Sequence, residues 1–340
     1  MKGACMKQAR RNFLIAGGAA AATLALPRIS QAALTTFNIT CTHYPEQDYG
    51  LPIVVAQQLG QMAKLGIDVK SITGSSGGGT TVRNVTQGGL SLGQVATSAG
   101  IKAILAGEDL KIIGGAVMTP GTICWVVKKD SPIKSIKDLV GKTVGFTQPG
   151  SVSESLLALS LKAAGVDPAS VKTRAAGGIG ENYTLLQSGG LDCAFTVDPI
   201  LTQHSADLRV VFFARDYVKN FLQTVWVTDS ATLKDQGTQV AAFLRGWTWG
   251  VEYTTSHVAE AAKIFAKAGS QEEGPVTYTL QHEQPAQYFG KGNLNPEALS
   301  NALEAMRFGK LLGPDKIDLS KLIDQTALQP SLRTSLPTMA

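Results

Sequence analysis

Hydrophobic positions alternate between two periods along this chain, starting near residue 35. Residues 35–42 are apolar or β-branched and predict a strand, whereas the apolar positions of 51–65 fall near one helical face and stop at Gly66. Residues 67–72 then predict a second strand. The same patterns predict further strands at 90–95, 110–118, 123–127, 142–146, 171–174, 191–196, 208–213 and 223–228.

Helices are predicted between most of these strands, so that strand and helix follow each other in turn. Such alternation is typical of an α/β fold with parallel strand pairs. In the last third of the chain the pattern becomes mostly helical, and the tail beyond Pro330 predicts no regular element. The predicted helices begin near Thr80 or cover 101–105, 153–164, 181–187, 239–253, 257–267 and 296–312.

Two parts of the chain resemble each other. At residues 87–93, and again at 187–195, a short helix ends at a glycine pair and the chain continues into an apolar strand. A glycine cluster precedes the helix in both places. α/β proteins often reuse this arrangement, which leaves chance similarity as the alternative. Because helix start, helix end and strand recur in the same order, we favour two similar lobes.

The first 32 residues have the pattern of an export signal. Arg10 and Arg11 precede an uncharged run at 15–26, which is shorter than the about 20 residues that a membrane-spanning helix needs. Residues 30–32 form a small-x-small cleavage site, so the mature chain is expected to begin at Ala33. The arginine pair indicates the twin-arginine route, with an ordinary secretory signal as the alternative. Either route predicts a protein that works in the periplasm.

Composition excludes several classes of partner. Removing residues 1–32 removes five basic residues and no acidic one, which leaves 26 of each kind. A neutral surface does not favour nucleic acid or direct membrane insertion, and no run after Ala33 is long enough to span a bilayer. The remaining length suffices for two domains. Three cysteines remain, an odd number in apolar runs, and we expect buried thiols rather than a disulfide framework.

Candidate binding residues cluster where predicted strands end and helices begin. In open α/β sheets ligands bind at such corners, because the first turn of a helix offers free N–H groups and a positive dipole end. The alternative is that the hydroxyl residues only cap their helices. The corner after the strand at 67–72 contains Ser75, Ser76, Gly78 and Thr80. The corner after the strand at 142–146 contains Gln148, Ser151 and Ser153, and the corner before the helix at 181–187 contains Gly178.

Three further polar residues follow predicted strands. Tyr49 lies where the first helix starts, Thr97 follows the strand at 90–95, and Asp198 follows the strand at 191–196. Asp198 could accept a hydrogen bond from a ligand or could simply precede a helix start at Pro199. No nucleotide-binding loop, metal-ligand cluster or nucleophile elbow occurs, so we expect no cofactor, no metal and no catalytic residue.

Taken together, these segments resemble the periplasmic solute-binding proteins of ABC transporters in the nitrate, sulfonate and taurine class, which are related to thiamine-precursor binders. The resemblance covers most of residues 35–325. Its most distinctive pieces are 51–69, 103–107, 136–144 and 149–151.

The resemblance implies a type II periplasmic-binding-protein fold, in which two α/β lobes with mostly parallel sheets are joined by two hinge strands. It implies hinge strands at 123–127 and 224–228 and gives a first lobe at 33–124, a second lobe at 125–223 and a return to the first lobe with C-terminal helices at 224–340. It also implies that Ser151 helps to hold an acidic group of the ligand.

The function that the resemblance implies is capture of a small, anionic solute in the cleft between the lobes. The solute would be a sulfonate, nitrate or an organic acid, and the partner an ABC permease in the inner membrane, with the binding protein a monomer. Two alternatives stay open: a periplasmic ligand sensor, and an enzyme on the same scaffold, as in related pyrimidine synthases.

Overall fold

The computed structural model describes residues 33–198, 200–337 and 339–340. The expected signal at 1–32 therefore lies outside the described residues. In chain order the strands are β1 (Thr35–Thr42), β2 (Ile67–Ser75), β3 (Leu92–Ala96), β4 (Lys111–Val117), β5 (Cys124–Lys128), β6 (Thr143–Phe146), β7 (Lys172–Ala175), β8 (Ala194–Thr196), β9 (Leu208–Phe213), β10 (Thr224–Thr228) and β11 (Phe289–Gly292).

Helices separate these strands and dominate the C-terminal third. They are α1 (Leu51–Gln58), α2 (Gln61–Lys64), α3 (Gly78–Thr86), α4 (Thr97–Leu105), α5 (Val152–Ala163), α6 (Ile179–Gln187), α7 (Ile200–Gln203), α8 (Ser230–Ser256), α9 (Val258–Gly269), α10 (Glu273–Glu283), α11 (Pro285–Tyr288), α12 (Pro296–Phe308) and α13 (Leu319–Leu322). Among these described helices, none is both long and apolar enough to cross a membrane.

The first sheet has six strands in the order β11-β4-β10-β3-β1-β2. Strand β1 pairs in parallel with β2 and β3, whereas β10 lies antiparallel between β3 and β4. The sheet therefore combines four strands of one direction with the reversed strands β10 and β11.

The second group of strands repeats this order. Strands β6 and β7 pair in parallel, β5 lies antiparallel between β8 and β9, and a parallel bridge between Val144 and Cys193 connects the two sets. The resulting order, β9-β5-β8-β6-β7, matches β4-β10-β3-β1-β2 strand for strand. This confirms the α/β fold with two lobes that the sequence predicts.

The chain crosses between the two groups of strands twice. Residues 118–123 lead from β4 to β5, and residues 214–223 lead from β9 back to β10. We call these segments the first and second crossing. The strands predicted as hinges, β5 and β10, follow the crossings and are the reversed central strands of their groups. The predicted domain boundaries at residues 124 and 223 stay a prediction.

Each lobe has its own aromatic core. In the first, Trp226 packs edge-on against Phe243 and Trp247, all fully buried. In the second, Trp125 stacks on Phe212 with ring centroids 5.0 Å apart and donates its indole N–H to the carbonyl of Gly145 at 2.9 Å. The cysteines at 41, 124 and 193 are free and buried, as the sequence predicts.

The predicted helix at 51–65 is two helices, because Gly60 adopts φ +72° and ends the first of them. Helices α10 and α11 and strand β11 were not predicted. The sequence 273–283 contains Gly274 and Pro275 close to the helix start and has little apolar periodicity, so its helix depends on packing against α9.

Close packing of α8 against α1 gives a stability prediction. A Cβ added at Gly250 would lie 2.0 Å from the carbonyl oxygen of Pro52, whereas one added at Gly274 in α10 would meet nothing within 4 Å. Gly250→Ala should therefore lower the free energy of unfolding by about 1–3 kcal/mol through overpacking. Gly274→Ala should raise it by up to about 0.5–1 kcal/mol, since alanine is the better helix former. Urea unfolding measures both variants, and a stabilising Gly250→Ala would contradict this packing.

Candidate functional site

The start of α5 is built from a ring of hydroxyl groups. Ser151 caps the helix: its Oγ accepts from the backbone N–H of Glu154 at 3.2 Å and lies 3.0 Å from Oγ of Ser153. Ser153 Oγ in turn accepts from the backbone N–H of Thr147 at 2.9 Å. These bonds fix the first turn of a helix whose N–H groups form a positive dipole end.

A matching corner lies in the first lobe, where α3 begins. The hydroxyl of Thr81 lies 2.7 Å from that of Thr42 and 2.5 Å from that of Ser75, and it donates to the carbonyl of Gly77. Gly78 packs so closely that a Cβ there would lie 2.8 Å from the Cβ atoms of Ala96 and Ala99. Only a residue without a side chain allows α3 and α4 to approach in this way.

The two corners approach each other. Ser98 at the start of α4 donates its hydroxyl to the carbonyl of Gly150, next to Ser151, at 2.5 Å. A Cβ on Gly77 would lie 3.2 Å from Oε1 of Gln148. The lobes are thus closed against each other at this edge.

A small cavity lies between the lobes at this point. Its volume is about 20 Å³, which is enough for about one water molecule. Anything larger requires the lobes to part. The cavity is lined by Thr42, His43, Gln47, Tyr49, Gly77, Gly78, Ala96, Ile123, Thr147, Ser151, Val152, Ser153, Phe195 and Thr224.

Four of the residues predicted to bind ligand line this cavity: Tyr49, Gly78, Ser151 and Ser153. Three others lie beside it. Ser75 is hydrogen-bonded to Thr81, Gln148 contacts Gly77, and Thr97 is the first residue of α4, with a buried hydroxyl that has no partner among the described residues.

The remaining predicted residues do not line the cavity. Ser76 is exposed, and Thr80 accepts a hydrogen bond from Arg83. Gly178 precedes α6. Asp198 accepts from the N–H and hydroxyl of Thr202, so it serves as a cap for α7. Their role in binding stays a prediction that the present geometry does not favour.

Sequence reasoning missed the polar side chains of the first loop. Thr42, His43 and Gln47 all line the cavity, and Gln47 is only 7% exposed. Its Oε1 is buried and has no hydrogen-bond partner among the described residues. The signal was present in the sequence, because residues 41–49 are more polar than the family resemblance leads one to expect.

The cavity wall has no formal charge near neutral pH. No lysine, arginine, aspartate or glutamate lines it. Burial lowers the pKa of His43 to about 4, so its imidazole is neutral. An anion here would be held by hydroxyls, backbone N–H groups and the α5 dipole rather than by an ion pair. Within the described residues no group of three or more metal-ligand side chains occurs.

Comparison with known proteins gives a family and a set of structural neighbours. The family model described as NMT1/THI5 like matches residues 47–261. A curated relative, the 4-amino-5-hydroxymethyl-2-methylpyrimidine phosphate synthase of Legionella pneumophila, is 28% identical over 243 residues, which cover 67% of this chain and 72% of the relative.

Solved structures of similar fold include several binding proteins. The periplasmic aliphatic sulphonate binding protein SsuA from Escherichia coli is 21% identical, with a TM-score of 0.68 over 85% of this chain and 92% of its own. The alkanesulfonate-binding protein from Xanthomonas axonopodis, bound to MOPS, is 17% identical, with a TM-score of 0.69 over 89% and 100%. The periplasmic nitrate-binding protein NrtA from Synechocystis is 12% identical, with a TM-score of 0.67 over 86% and 87%.

Proposed function

The chain belongs to the NMT1/THI5-like family, and from that premise we propose that it is the solute-binding component of an ABC importer. In this proposal the two lobes close on a small anionic solute and the closed protein delivers it to a permease in the inner membrane. The observation that carries the proposal is the cavity between the lobes, lined by hydroxyls and by the start of α5.

The ligand class follows from the groups that face the cavity. Ser151, Ser153 and the first-turn amides of α5 supply donors, which suit the oxygens of a sulfonate, nitrate or carboxylate group. Gln47 supplies an acceptor without a partner, which suits an N–H or O–H of the solute. Phe195, Ile123 and Val152 complete the wall and suit a short apolar part.

The proposal also includes export of the protein to the periplasm. The arginine pair and apolar run of residues 1–32 support transport to the periplasm, by the twin-arginine or the general secretory route. The proposed monomer meets its permease by a specific contact rather than by general charge attraction, because the remaining chain is neutral in composition.

An enzymatic function is the second candidate. It is favoured by the Legionella relative, a pyrimidine phosphate synthase. An enzyme must turn its substrate over, whereas a binding protein returns the solute unchanged. Mass spectrometry of the solute recovered after incubation therefore separates the two candidates.

Thermal unfolding in the presence of candidate solutes tests the binding function. A panel of nitrate, ethanesulfonate, taurine, benzoate and an aminopyrimidine covers the classes considered. A solute that binds only the folded state adds about 2.7 kcal/mol of stability at 100 times its dissociation constant, and we expect an acidic solute to do so. Taurine should raise the melting temperature more than ethanesulfonate, because its ammonium group gives Gln47 a donor. If no solute shifts the midpoint and one is consumed, the chain is an enzyme.

A serine substitution tests the position of the ligand. Ser151→Ala removes a hydroxyl from the cavity wall and should weaken the solute found by the panel at least tenfold, since hydrogen bonds to charged groups contribute about 1.5–3 kcal/mol. Calorimetric titration measures the affinity. Ser151→Ala should also cost about 1 kcal/mol of stability as a lost helix cap.

The matched control is Ser135→Ala. Ser135 caps the short 3-10 helix Ile136–Leu139 and is exposed, outside the cavity lining. This variant should lose some stability and keep its affinity. An unchanged affinity in Ser151→Ala would reduce Ser151 to a cap of α5.

A further inference from the structure

Two carboxyl groups lie buried against each other behind the cavity wall. Asp48 in the 3-10 helix Asp48–Gly50 is 7% exposed and Glu283 at the end of α10 is 8% exposed. The two carboxyls lie close enough to form a hydrogen bond to each other once one of them carries a proton. Oδ2 of Asp48 and Oε2 of Glu283 are buried without a donor among the described residues. A proton held between the two carboxyls would supply the missing donor.

The hydrogen-bond partners that the described residues supply to the two carboxyls are neutral. Tyr288 donates its hydroxyl to Oδ1 of Asp48 at 3.2 Å, and Thr122 donates its N–H and hydroxyl to Oε1 of Glu283 at 3.4 and 3.2 Å. Burial raises the pKa of the nearby Tyr49 well above its ordinary value, and the charges of the two carboxyls raise it further, so its phenol is neutral as well.

Within the described part of the chain, no cationic side chain is bonded to either carboxyl. The guanidinium of Arg215, on the second crossing, donates to the carbonyls of Gly121 and His282 rather than to either carboxylate. The other ionisable side chains on the packed elements are His43, Tyr44 and Glu46 on the loop of Asp48, Glu260, Lys263 and Lys267 on α9, Glu273, Tyr278 and His282 on α10, and Asp216, Tyr217 and Lys219 on the second crossing. None of them is hydrogen-bonded or ion-paired to Asp48 or Glu283. Two adjacent buried carboxylates cannot both be charged at low cost, so one of them keeps a proton.

The pair and the chain neighbours of Asp48 together connect the cavity wall to both crossings. Gln47 and Tyr49, the neighbours of Asp48, both line the cavity. Tyr49 donates its hydroxyl to Oε1 of Gln223 at 2.8 Å, and Gln223 donates to the carbonyl of Thr119, so the two crossings are joined here.

Gly121 lies directly on the pair. It adopts φ +58°, and a Cβ there would lie 2.6 Å from the ring of Tyr288 and 2.9 Å from Oε1 of Glu283. The first crossing therefore packs against the side chain of Glu283, and a movement of that side chain displaces the segment by which the chain passes between the lobes.

We propose that Asp48 and Glu283 share one proton and act as a positioning pair, which holds the Gln47–Tyr49 wall of the cleft against the two crossings. This inference rests on the proposed function, because it assigns the pair a role in presenting the binding wall. Loss of the proton leaves two contacting negative charges, which separate α10 from the wall and loosen both crossings.

The direction of the pH effect follows from burial. Burial raises the pKa of Glu283 well above its ordinary value of 4.5, and the charge of Asp48 raises it further. The folded state then holds a proton that the unfolded chain releases near pH 4.5. Stability from this proton is complete below that pH and is lost as pH rises towards the raised pKa. A groove of about 530 Å³, lined by Glu283, Gly121 and Thr119, gives the proton a route to solvent.

Glu283→Gln tests the shared proton. Glutamine has the shape of a protonated glutamate, and its amide can donate to Asp48 at every pH. We expect the unfolding equilibrium constant of the unaltered protein, measured in urea between pH 5 and 9, to rise by up to about tenfold per pH unit relative to this variant. Hydrogen exchange should show residues 44–50 and 118–124 losing protection at high pH in the unaltered protein but not in the variant.

The control is Glu273→Gln, which removes an exposed carboxylate from the other end of the same helix and should keep the pH dependence of the unaltered protein. If Glu283→Gln does not fold, Asp48→Asn makes the same comparison. Equal pH slopes in the unaltered protein and the variant would overturn the proposal. Because neither measurement uses a solute, this result is independent of whether any compound of the panel binds.

Discussion

Polar groups that line the cleft lose water when the lobes come together, and each must then find another hydrogen-bonding partner. Most of them find one within their own corner. Thr42, Thr81 and Ser75 form one set of hydroxyl contacts, and Ser151, Ser153 and Thr147 form another. The groups left over decide what a solute must provide, because a buried polar atom without a partner costs about 1–3 kcal/mol. Oε1 of Gln47 is such a group in the cavity wall.

The need of buried polar groups for hydrogen-bonding partners also applies behind the cavity wall. The cavity wall bears no formal charge, yet directly behind it two carboxyl groups are buried together. Glu283 accepts from Thr122 on the first crossing. Tyr49, the chain neighbour of Asp48, donates to Gln223 on the second. The binding wall and the segments between the lobes thus belong to one buried network, in which a solute that pulls on the wall also acts on the crossings.

Much of the fold could be predicted from the sequence, because apolar periodicity reports local burial. Strands β1 and β9 begin and end at the predicted residues. The helix end, glycine pair and strand that recur at 87–93 and 187–195 predicted two similar groups of strands, and the two groups share one strand order. Helix α10 could not be predicted, since its sequence has weak periodicity and its packing partner α9 decides its conformation.

The candidate site was only partly predictable. Ser151 and Gly78 were found because residues at helix starts follow a local rule. Gln47 and Glu283 were missed, because their burial results from contacts between residues far apart in the sequence. Asp198 shows where this local rule fails: it follows a strand end, yet its carboxylate accepts a hydrogen bond from Thr202 and caps α7.

Closure of the lobes on a solute is the central claim, and a distance between them tests it most directly. Cysteines introduced at Lys70 on β2 and Lys172 on β7, both exposed and on the edge strands of the two groups, accept spin labels. The native thiols of the described residues, at 41, 124 and 193, are buried and do not compete, and labelling a chain that starts at Ala33 leaves out Cys5. Electron–electron double resonance should show a broad distribution with longer distances in the free protein and one narrow, shorter distance with saturating solute. Identical distributions with and without bound solute would contradict closure.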